Sequence, residues 1–161
     1  MRNNHFTYLL MAFLMAISCE SPTTLSTDVT ETNDPLEGVW EFVSSKVTLP
    51  DTTIIYDSKT NQTGLFIMLG GRFAFVSTSP DKTNLTYAGH GSYTVEGNTF
   101  TEKTEFHSVT SLNGKSMKWE YEIEGEQFIK RGALPVWPEI KPFARDETEV
   151  QFEEIRKRRS N

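Results

Sequence analysis

Two histidines and a glutamate are the residues of this sequence whose types and spacing could support chemistry. His90 and His107 are the only histidines after residue 18, and Glu105 precedes His107 by two positions. Residues two apart in a strand share a face, so Glu105 and His107 are predicted to point the same way. Two imidazoles and a carboxylate could hold zinc with an open fourth position or serve as acid and base. The alternative is that both histidines are structural, either hydrogen-bonded in a sheet or exposed.

Other catalytic signatures do not occur in the sequence. It contains no His-x-x-x-His spacing, no Ser-His-Asp signature, no phosphate-binding glycine loop and no dinucleotide fingerprint. We therefore predict a protein that is not an enzyme and that carries no metal or other cofactor. Gly89 and Gly91 flank His90 inside a predicted strand, where glycine favours a bend at a barrel corner over close approach of a ligand.

The first 18 residues have the features of an export signal. Arg2 supplies a positive charge, and residues 6–17 form a run without any charge. Such a run fits the apolar core of a secretory signal and is shorter than the roughly 20 residues that span a bilayer. We predict a signal peptide over residues 1–18. It ends directly before Cys19, the sole cysteine, so the fold must rely on its core without an internal disulfide.

The sequence Ala16-Ile17-Ser18-Cys19 resembles the lipobox of bacterial lipoproteins. The resemblance implies a diacylglycerol on the Cys19 thiol, cleavage just before it and acylation of the new amino terminus. Ala16 stands where leucine is usual, and ordinary signal peptidase, which would leave a free thiol, is the alternative. Acyl chains bind a bilayer at about 0.8 kcal/mol per buried CH₂. We predict an exported protein anchored in the bacterial cell envelope, in the outer membrane, with the leaflet left open.

The segment 19–34 is predicted to be the lipidated cysteine and a flexible tether. Serine, threonine and acidic residues dominate it, and they bury too little apolar surface to order the chain. Cleavage of the predicted signal peptide removes Arg2 and makes the net charge of −6 one unit more negative. A net negative charge disfavours binding to nucleic acid. The basic cluster at 156–159 leads into a basic tail, 159–161. We interpret this tail as solvated, with binding to an anionic surface as the alternative.

Residues 35–158 show short apolar runs at strand spacing, separated by turn signals. Gly70-Gly71 is the strongest of these signals, because glycine accepts the positive φ of the favoured hairpin turns. The side chains from Met117 to Ile123 alternate between apolar and polar, as in an antiparallel sheet with one buried face. The predicted strands are 39–48, 52–56, 64–69, 72–78, 86–95, 99–108, 116–123, 127–131 and 149–158.

The segment 132–147 contains Pro135, Pro138 and Pro142. These prolines predict that it forms neither a regular strand nor a long helix, although one short helical turn is allowed. Trp137 lies within it and is interpreted either as a plug packed on the domain or as an exposed anchor for a partner. The plug is the preferred interpretation.

Many antiparallel strands in a small domain must hide their edges, and closure into a barrel does so completely. We predict an all-β fold, an antiparallel barrel of eight to ten strands, with a β-sandwich as the alternative. An eight-stranded barrel is filled by side chains or holds one small ligand.

The start of the domain, Leu36-Glu37-Gly38-Val39-Trp40, resembles the Gly-x-Trp motif on the first strand of lipocalins. Residues 87–95 and 122–126 resemble hairpins of bacterial lipocalin-like domains, which are often borne on lipoproteins. The resemblance covers 35–158 and implies that Gly38 and Trp40 close the barrel floor with a basic residue across the tryptophan, for which Arg156 is the candidate. The Thr-Asp-Tyr motif and the disulfide of secreted animal lipocalins are absent from the sequence.

Three functional hypotheses follow from these features. The first is a membrane-anchored, lipocalin-like lipoprotein that binds a small hydrophobic or amphipathic molecule without catalysis. The second is a protein-interaction or inhibitor module with a filled barrel that engages an envelope protein. The third is an enzyme that uses His90, His107 and Glu105. The candidate ligand-binding residues are Trp40, Phe42, Phe66, Phe75, His90, Tyr93, His107, Trp119 and Tyr121.

Overall fold

The computed structural model describes residues 34–138, 141–144 and 147–160. The predicted signal peptide, Cys19 and all of the tether except residue 34 lie outside them. The strands are β1 (Gly38–Thr48), β2 (Thr53–Asp57), β3 (Thr63–Leu69), β4 (Arg72–Thr78), β5 (Leu85–Glu96), β6 (Thr99–His107), β7 (Ser116–Glu124), β8 (Gln127–Pro135) and β9 (Glu149–Arg158). A 3₁₀ turn (Thr110–Leu112) and one short helix, α1 (Lys141–Ala144), complete the described elements.

The strands close on themselves into a barrel. From β3 to β9 each strand pairs antiparallel with the next, β3 also pairs with β1, and β9 pairs back with β1. This ring uses eight of the nine strands, and β2 is an extra strand on the second half of β1, beside β3. The predicted all-β antiparallel barrel is therefore confirmed, and the pairing of β9 with β1 excludes the β-sandwich.

The hairpin of β3 and β4 illustrates why these residues form strands. Phe66 and Met68 are buried in the barrel, whereas Ile67 and Leu69 lie on its outer face, the two-residue period of a strand with one buried face. Gly70 and Gly71 both have positive φ, 56° and 71°, as a two-residue hairpin turn of type I′ requires. Local sequence therefore determines both the strand and its turn.

The prediction that the strand beginning at Gln127 ends at Arg131 was wrong. Strand β8 runs on to Pro135, paired with β9 as far as Glu149. Its pairing with β7 ends at Gly132. Beyond this point one side of β8 is an edge of the sheet, where a proline removes no hydrogen bond between strands. The short helical turn predicted in this segment is confirmed as α1.

Two apolar clusters pack the described part of the chain. The floor cluster surrounds Trp40, and the second lies under the connection between β8 and β9, which carries Trp137. Trp137 is only 8% exposed, which confirms the plug and not the exposed anchor. The described residues fall within a single compact unit, and their helices are too short and too polar to include a candidate membrane span.

The barrel floor is built on Trp40, whose indole is fully buried and donates from Nε1 to the carbonyl oxygen of Leu36 at 2.8 Å. The Arg158 guanidinium lies 4.1 Å from the centre of the Trp40 ring. It also donates to the carbonyl oxygens of Glu37, at 2.7 Å, and Pro35, at 2.8 Å. Arg158 therefore ties the last strand to the chain that enters the first.

The prediction that Arg156 crosses Trp40 was wrong. The register of β1 and β9 places Arg158 opposite Trp40 and Arg156 opposite Phe42, so Arg156 points into the barrel one step above the floor. Gly38 does contribute to closure, because a Cβ at this position would lie 2.6 Å from Nη1 of Arg158. Only glycine leaves room for that guanidinium.

Candidate ligand cavity

A cavity of about 140 Å³ lies inside the barrel. Members of both apolar clusters line it, and the connection that carries Trp137 contributes to its wall. Four of the predicted ligand-binding residues are among its lining residues, namely Phe66, Phe75, His107 and Trp119. Gly89 and Gly91 are buried beneath the rings of Phe75 and Phe73, respectively. A Cβ at Gly89 would lie 2.6 Å from the Phe75 ring, and one at Gly91 would lie 2.9 Å from the Phe73 ring. These glycines make room for lining aromatics.

The other five predicted residues lie elsewhere. Trp40 and Phe42 are buried at the floor end. The Tyr93 hydroxyl donates to Oδ2 of Asp34 at 2.7 Å, and burial, together with that carboxylate, raises the pKa of Tyr93. The Tyr121 hydroxyl donates to the carbonyl oxygen of Gly97 at 3.1 Å. His90 is exposed on the outer face of β5.

A β-bulge separates the groups that were considered for catalysis. In the pairing of β5 with β6, Gly91 lies opposite Thr104 and His90 opposite Phe106, which leaves Glu105 as an extra residue. The prediction that Glu105 and His107 share a face is therefore wrong, because the extra residue shifts the alternation of β6. His107 lines the cavity, whereas Glu105 is exposed outside the barrel.

Glu105 belongs instead to an outer ion-pair group. It accepts two hydrogen bonds from Arg72, at 2.6 and 2.7 Å, and His90 Nδ1 lies 3.6 Å from its Oε2. The hydrogen bond from Arg72 lowers the pKa of Glu105. Within the described residues, no group of three or more His, Cys, Asp or Glu side chains could hold a metal ion.

His107 is a half-buried histidine fixed by backbone hydrogen bonds. Its Nδ1 accepts from the Val109 amide at 2.8 Å, and its own amide donates to Oδ1 of Asn113 at 2.6 Å. Burial, and secondarily the positive charge of Lys130, lowers the pKa of His107. The ring is therefore neutral at neutral pH, and the acceptor role of Nδ1 places its proton on Nε2.

This lowered pKa predicts a pH-dependent stability. The unfolded chain takes up a proton near pH 6.5, whereas folded His107 does so only at lower pH, so the stabilisation is complete above about pH 6.5 and falls below it. We expect the free energy of unfolding to fall more between pH 7.5 and 5.5 in wild type than in His107→Gln. Urea denaturation at both pH values measures this. Equal losses in the two proteins would contradict the assignment of a neutral His107.

Four charged side chains meet in the cavity wall. Lys130 Nζ lies 3.4 Å from an oxygen of Glu102 and 3.4 Å from an oxygen of Glu154. Arg156 donates to both oxygens of Glu154, at 2.7 Å and 3.0 Å. All four are buried, with exposed fractions of at most 7%. Although burial opposes it, the two neighbouring cations lower the pKa of Glu154, so its carboxylate stays ionised.

Sequence reasoning missed this charged cluster, although the signal was present. Lys130 lies two residues from Phe128, and Glu154 and Arg156 lie two and four residues from Phe152, so strand alternation places them on the inward face. Charged residues on an inward face are rare unless they are paired, which points to a polar group inside the barrel.

Two of the side chains that line the cavity carry a buried donor without a partner. Among the described residues, Nη1 of Arg156 and Nε1 of Trp119 have no hydrogen-bond acceptor, and both side chains line the cavity. The cations also lie near aromatic faces: Lys130 Nζ is 4.7 Å from the Trp119 ring, and the Arg156 guanidinium is 5.0 Å from the Phe66 ring. The cavity wall therefore combines aromatic side chains with a few polar and charged ones, the usual composition of a small-molecule site.

Comparisons with known proteins return solved structures of low similarity. Neither a family model nor a curated protein matches the chain. The solved structure of apocrustacyanin C2 is similar with a TM-score of 0.40 and 14% identity, over 78% of this chain and 61% of that chain. Rv2717c from M. tuberculosis is similar with a TM-score of 0.39 and 10% identity, over 79% of this chain and 94% of that chain.

Proposed function

We propose that this protein is a non-catalytic binding protein that holds a small apolar or amphipathic molecule inside its barrel. The observation that carries the proposal is the cavity between Phe66, Phe75 and Trp119, two of whose lining side chains carry an unpartnered buried donor. A protein-interaction module would not need such a cavity. An enzyme of the kind considered above would need both histidines in one cleft. His90 and His107 lie on opposite faces of the sheet.

The cavity volume limits what can bind. A cavity of about 150 Å³ in another protein holds benzene, whereas sites for drug-sized ligands measure roughly 300–1,000 Å³. At about 140 Å³, this cavity accommodates one ring with a short substituent. The ligand is therefore a molecule of that size, or the end of a longer molecule that enters the barrel.

Native mass spectrometry tests this function directly. The chain 20–161, which contains all of the described compact unit, is purified without detergent and exposed to an extract of envelope lipids and small metabolites. We expect a discrete added mass that is lost on denaturation. The matched control is Ser77→Leu, which adds bulk at a buried lining position and should prevent the addition. A bare mass for the wild type, or the same addition on both proteins, would contradict binding in the cavity.

Anchoring at the envelope through lipidated Cys19 is the second part of the proposal. It is supported by the charge-free run of residues 6–17, which lies just before the sole cysteine, and would place the barrel at a membrane surface, in the outer membrane. Two or more acyl chains would hold the protein there firmly, because one chain alone gives only reversible binding.

Substitution of Cys19 tests this anchor. Cys19→Ala should abolish labelling by a fatty-acid probe and move the protein from the membrane to the soluble fraction, since the thiol is the attachment point. Ser18→Ala, which keeps a small residue before the cysteine, is the control that should still be labelled. Labelling of the Cys19→Ala protein at the wild-type level would show that the lipid is not on this residue.

Interaction with an envelope protein is a second candidate function, which one observation favours. Ile67, Val76 and Phe106 are 40–49% exposed on the outer faces of β3, β4 and β6, and apolar side chains exposed on one outer surface can contribute to a protein contact. Phe106→Lys should then abolish chemical cross-linking to a partner in intact cells. Unchanged cross-linking would remove this candidate.

A further inference from the structure

We propose that the cavity selects a neutral, ring-sized molecule that carries a hydrogen-bond acceptor, such as the carbonyl of a ketone, ester or amide. Arg156 and Trp119 are the residues that hold this acceptor. The inference deepens the proposed function and rests on it, because it names the chemical class that the cavity binds.

The two unpartnered donors specify the acceptor. Trp119 is 1% exposed and Arg156 is 4% exposed. Both side chains line the cavity, and each has one buried nitrogen donor that lacks an acceptor among the described residues. A buried donor without a partner loses its hydrogen bonds to water without replacement. A ligand oxygen restores them, whereas a purely apolar ligand of the same shape leaves them unsatisfied.

The charges in the wall specify that the ligand is neutral. Lys130 and Arg156 are already balanced by Glu102 and Glu154, with which they form ion pairs of 2.7–3.4 Å. An anionic ligand would therefore bring a third negative charge beside two buried carboxylates, without a cation left to neutralise it. Burial of an uncompensated charge is far more costly than burial of a carbonyl group.

The aromatic side chains of the wall and the volume of the cavity specify the rest of the ligand. Phe66 and Phe73 stack with ring centres 5.6 Å apart, and Phe75 lies 6.3 Å from Phe66. These three rings face the same cavity as the donors. A volume of about 140 Å³ leaves room for one ring beside them, so that a planar apolar body contacts the phenylalanines while its polar atom reaches the donors.

Three probes of nearly equal shape test this selectivity. Acetophenone has a ring and a neutral carbonyl, α-methylstyrene replaces the carbonyl oxygen by CH₂, and benzoate replaces the methyl group by a charged oxygen. Their dissociation constants for the chain 20–161 are measured by NMR titration at pH 7.5. We expect acetophenone to bind at least about tenfold more tightly than either of the others, since a hydrogen bond from a charged donor contributes about that factor.

The outcomes separate this inference from the proposed function. Equal binding of acetophenone and α-methylstyrene would overturn acceptor recognition while supporting a cavity that binds small molecules. Tightest binding of benzoate would overturn neutrality and indicate an anion site. Failure of all three probes to bind at millimolar concentration would contradict the proposed function and this inference together.

Variants identify the donors. Trp119→Phe keeps an aromatic ring and removes Nε1, and should reduce the preference for acetophenone over α-methylstyrene at least threefold. Tyr121→Phe is the matched control, because its hydroxyl donates to Gly97 at 3.1 Å and not into the cavity, and it should keep the full preference. An unchanged preference in Trp119→Phe would overturn its role. If that variant does not fold, Arg156→Lys, which keeps the charge and loses Nη1, makes the same test.

Discussion

Trp40→Ala should reduce the free energy of unfolding by about 3–5 kcal/mol, the loss typical of a large buried aromatic side chain. The side chain is 0% exposed and packs against Phe128, with ring centres 5.2 Å apart. Its loss also leaves the Leu36 carbonyl oxygen without its donor and Arg158 without the ring beneath it. The floor of the barrel would therefore lose packing and closure in the same substitution.

Urea denaturation followed by circular dichroism measures this effect. Ile55→Ala is the control, because Ile55 on β2 is 64% exposed and surface substitutions usually change stability by less than about 0.5 kcal/mol. A loss below about 1 kcal/mol for Trp40→Ala would mean that Trp40 does not hold the floor of the barrel.

Arg156→Leu should destabilise the protein by a comparable amount, about 3–5 kcal/mol, because it removes one partner of a buried ion pair. Glu154 would keep only Lys130, which it shares with Glu102, so two buried carboxylates would face one cation. The cost arises from the uncompensated charge and not from the loss of an attractive contact alone.

A double variant separates these two contributions. Arg156→Leu combined with Glu154→Leu removes both charges and leaves Lys130 balanced by Glu102, so most of the lost stability should return. Chemical denaturation at pH 7 of the two single variants, the double variant and the wild type gives the coupling energy. A double variant that is as unstable as Arg156→Leu would show that charge balance does not explain the cluster.

The strands could be predicted from the sequence because their signals are local. Alternation such as that of Phe66 and Met68 with Ile67 and Leu69, and turns such as Gly70-Gly71, depend on residues near one another in the chain. The end of β8 was missed because Pro135 is tolerated only at an edge, and the edge exists because β7 stops pairing at Gly132. Whether Pro135 lies at an edge therefore depends on a neighbouring strand and not on the residues beside it in the chain.

The site was predicted less completely, because it depends on register between distant strands. Arg158 and not Arg156 crosses Trp40, because the register of β9 with β1, which also contains a bulge between Phe42 and Ser44, places Arg158 opposite Trp40. A second bulge turns Glu105 away from His107. One unpaired residue reverses every side chain beyond it, and the local pattern of residues does not reveal where that happens.

The volume of the barrel interior also could not be predicted from local sequence patterns. The sequence predicts aromatics on inward faces, but whether they fill an eight-stranded barrel depends on how the rings pack across it. Here the inward aromatics share the interior with Glu102, Lys130, Glu154 and Arg156, and a cavity remains beside them.

Binding of a small molecule inside the barrel can be detected at the two methionine methyl groups of chain 20–161. Met117 lines the cavity, whereas Met68 is fully buried in the floor cluster and is not a lining residue. With ¹³C-methyl methionine and increasing acetophenone, we expect the Met117 signal to shift and saturate while the Met68 signal stays in place. A Met117 signal that does not move at millimolar acetophenone, or equal shifts of both signals without saturation, would contradict binding inside the barrel.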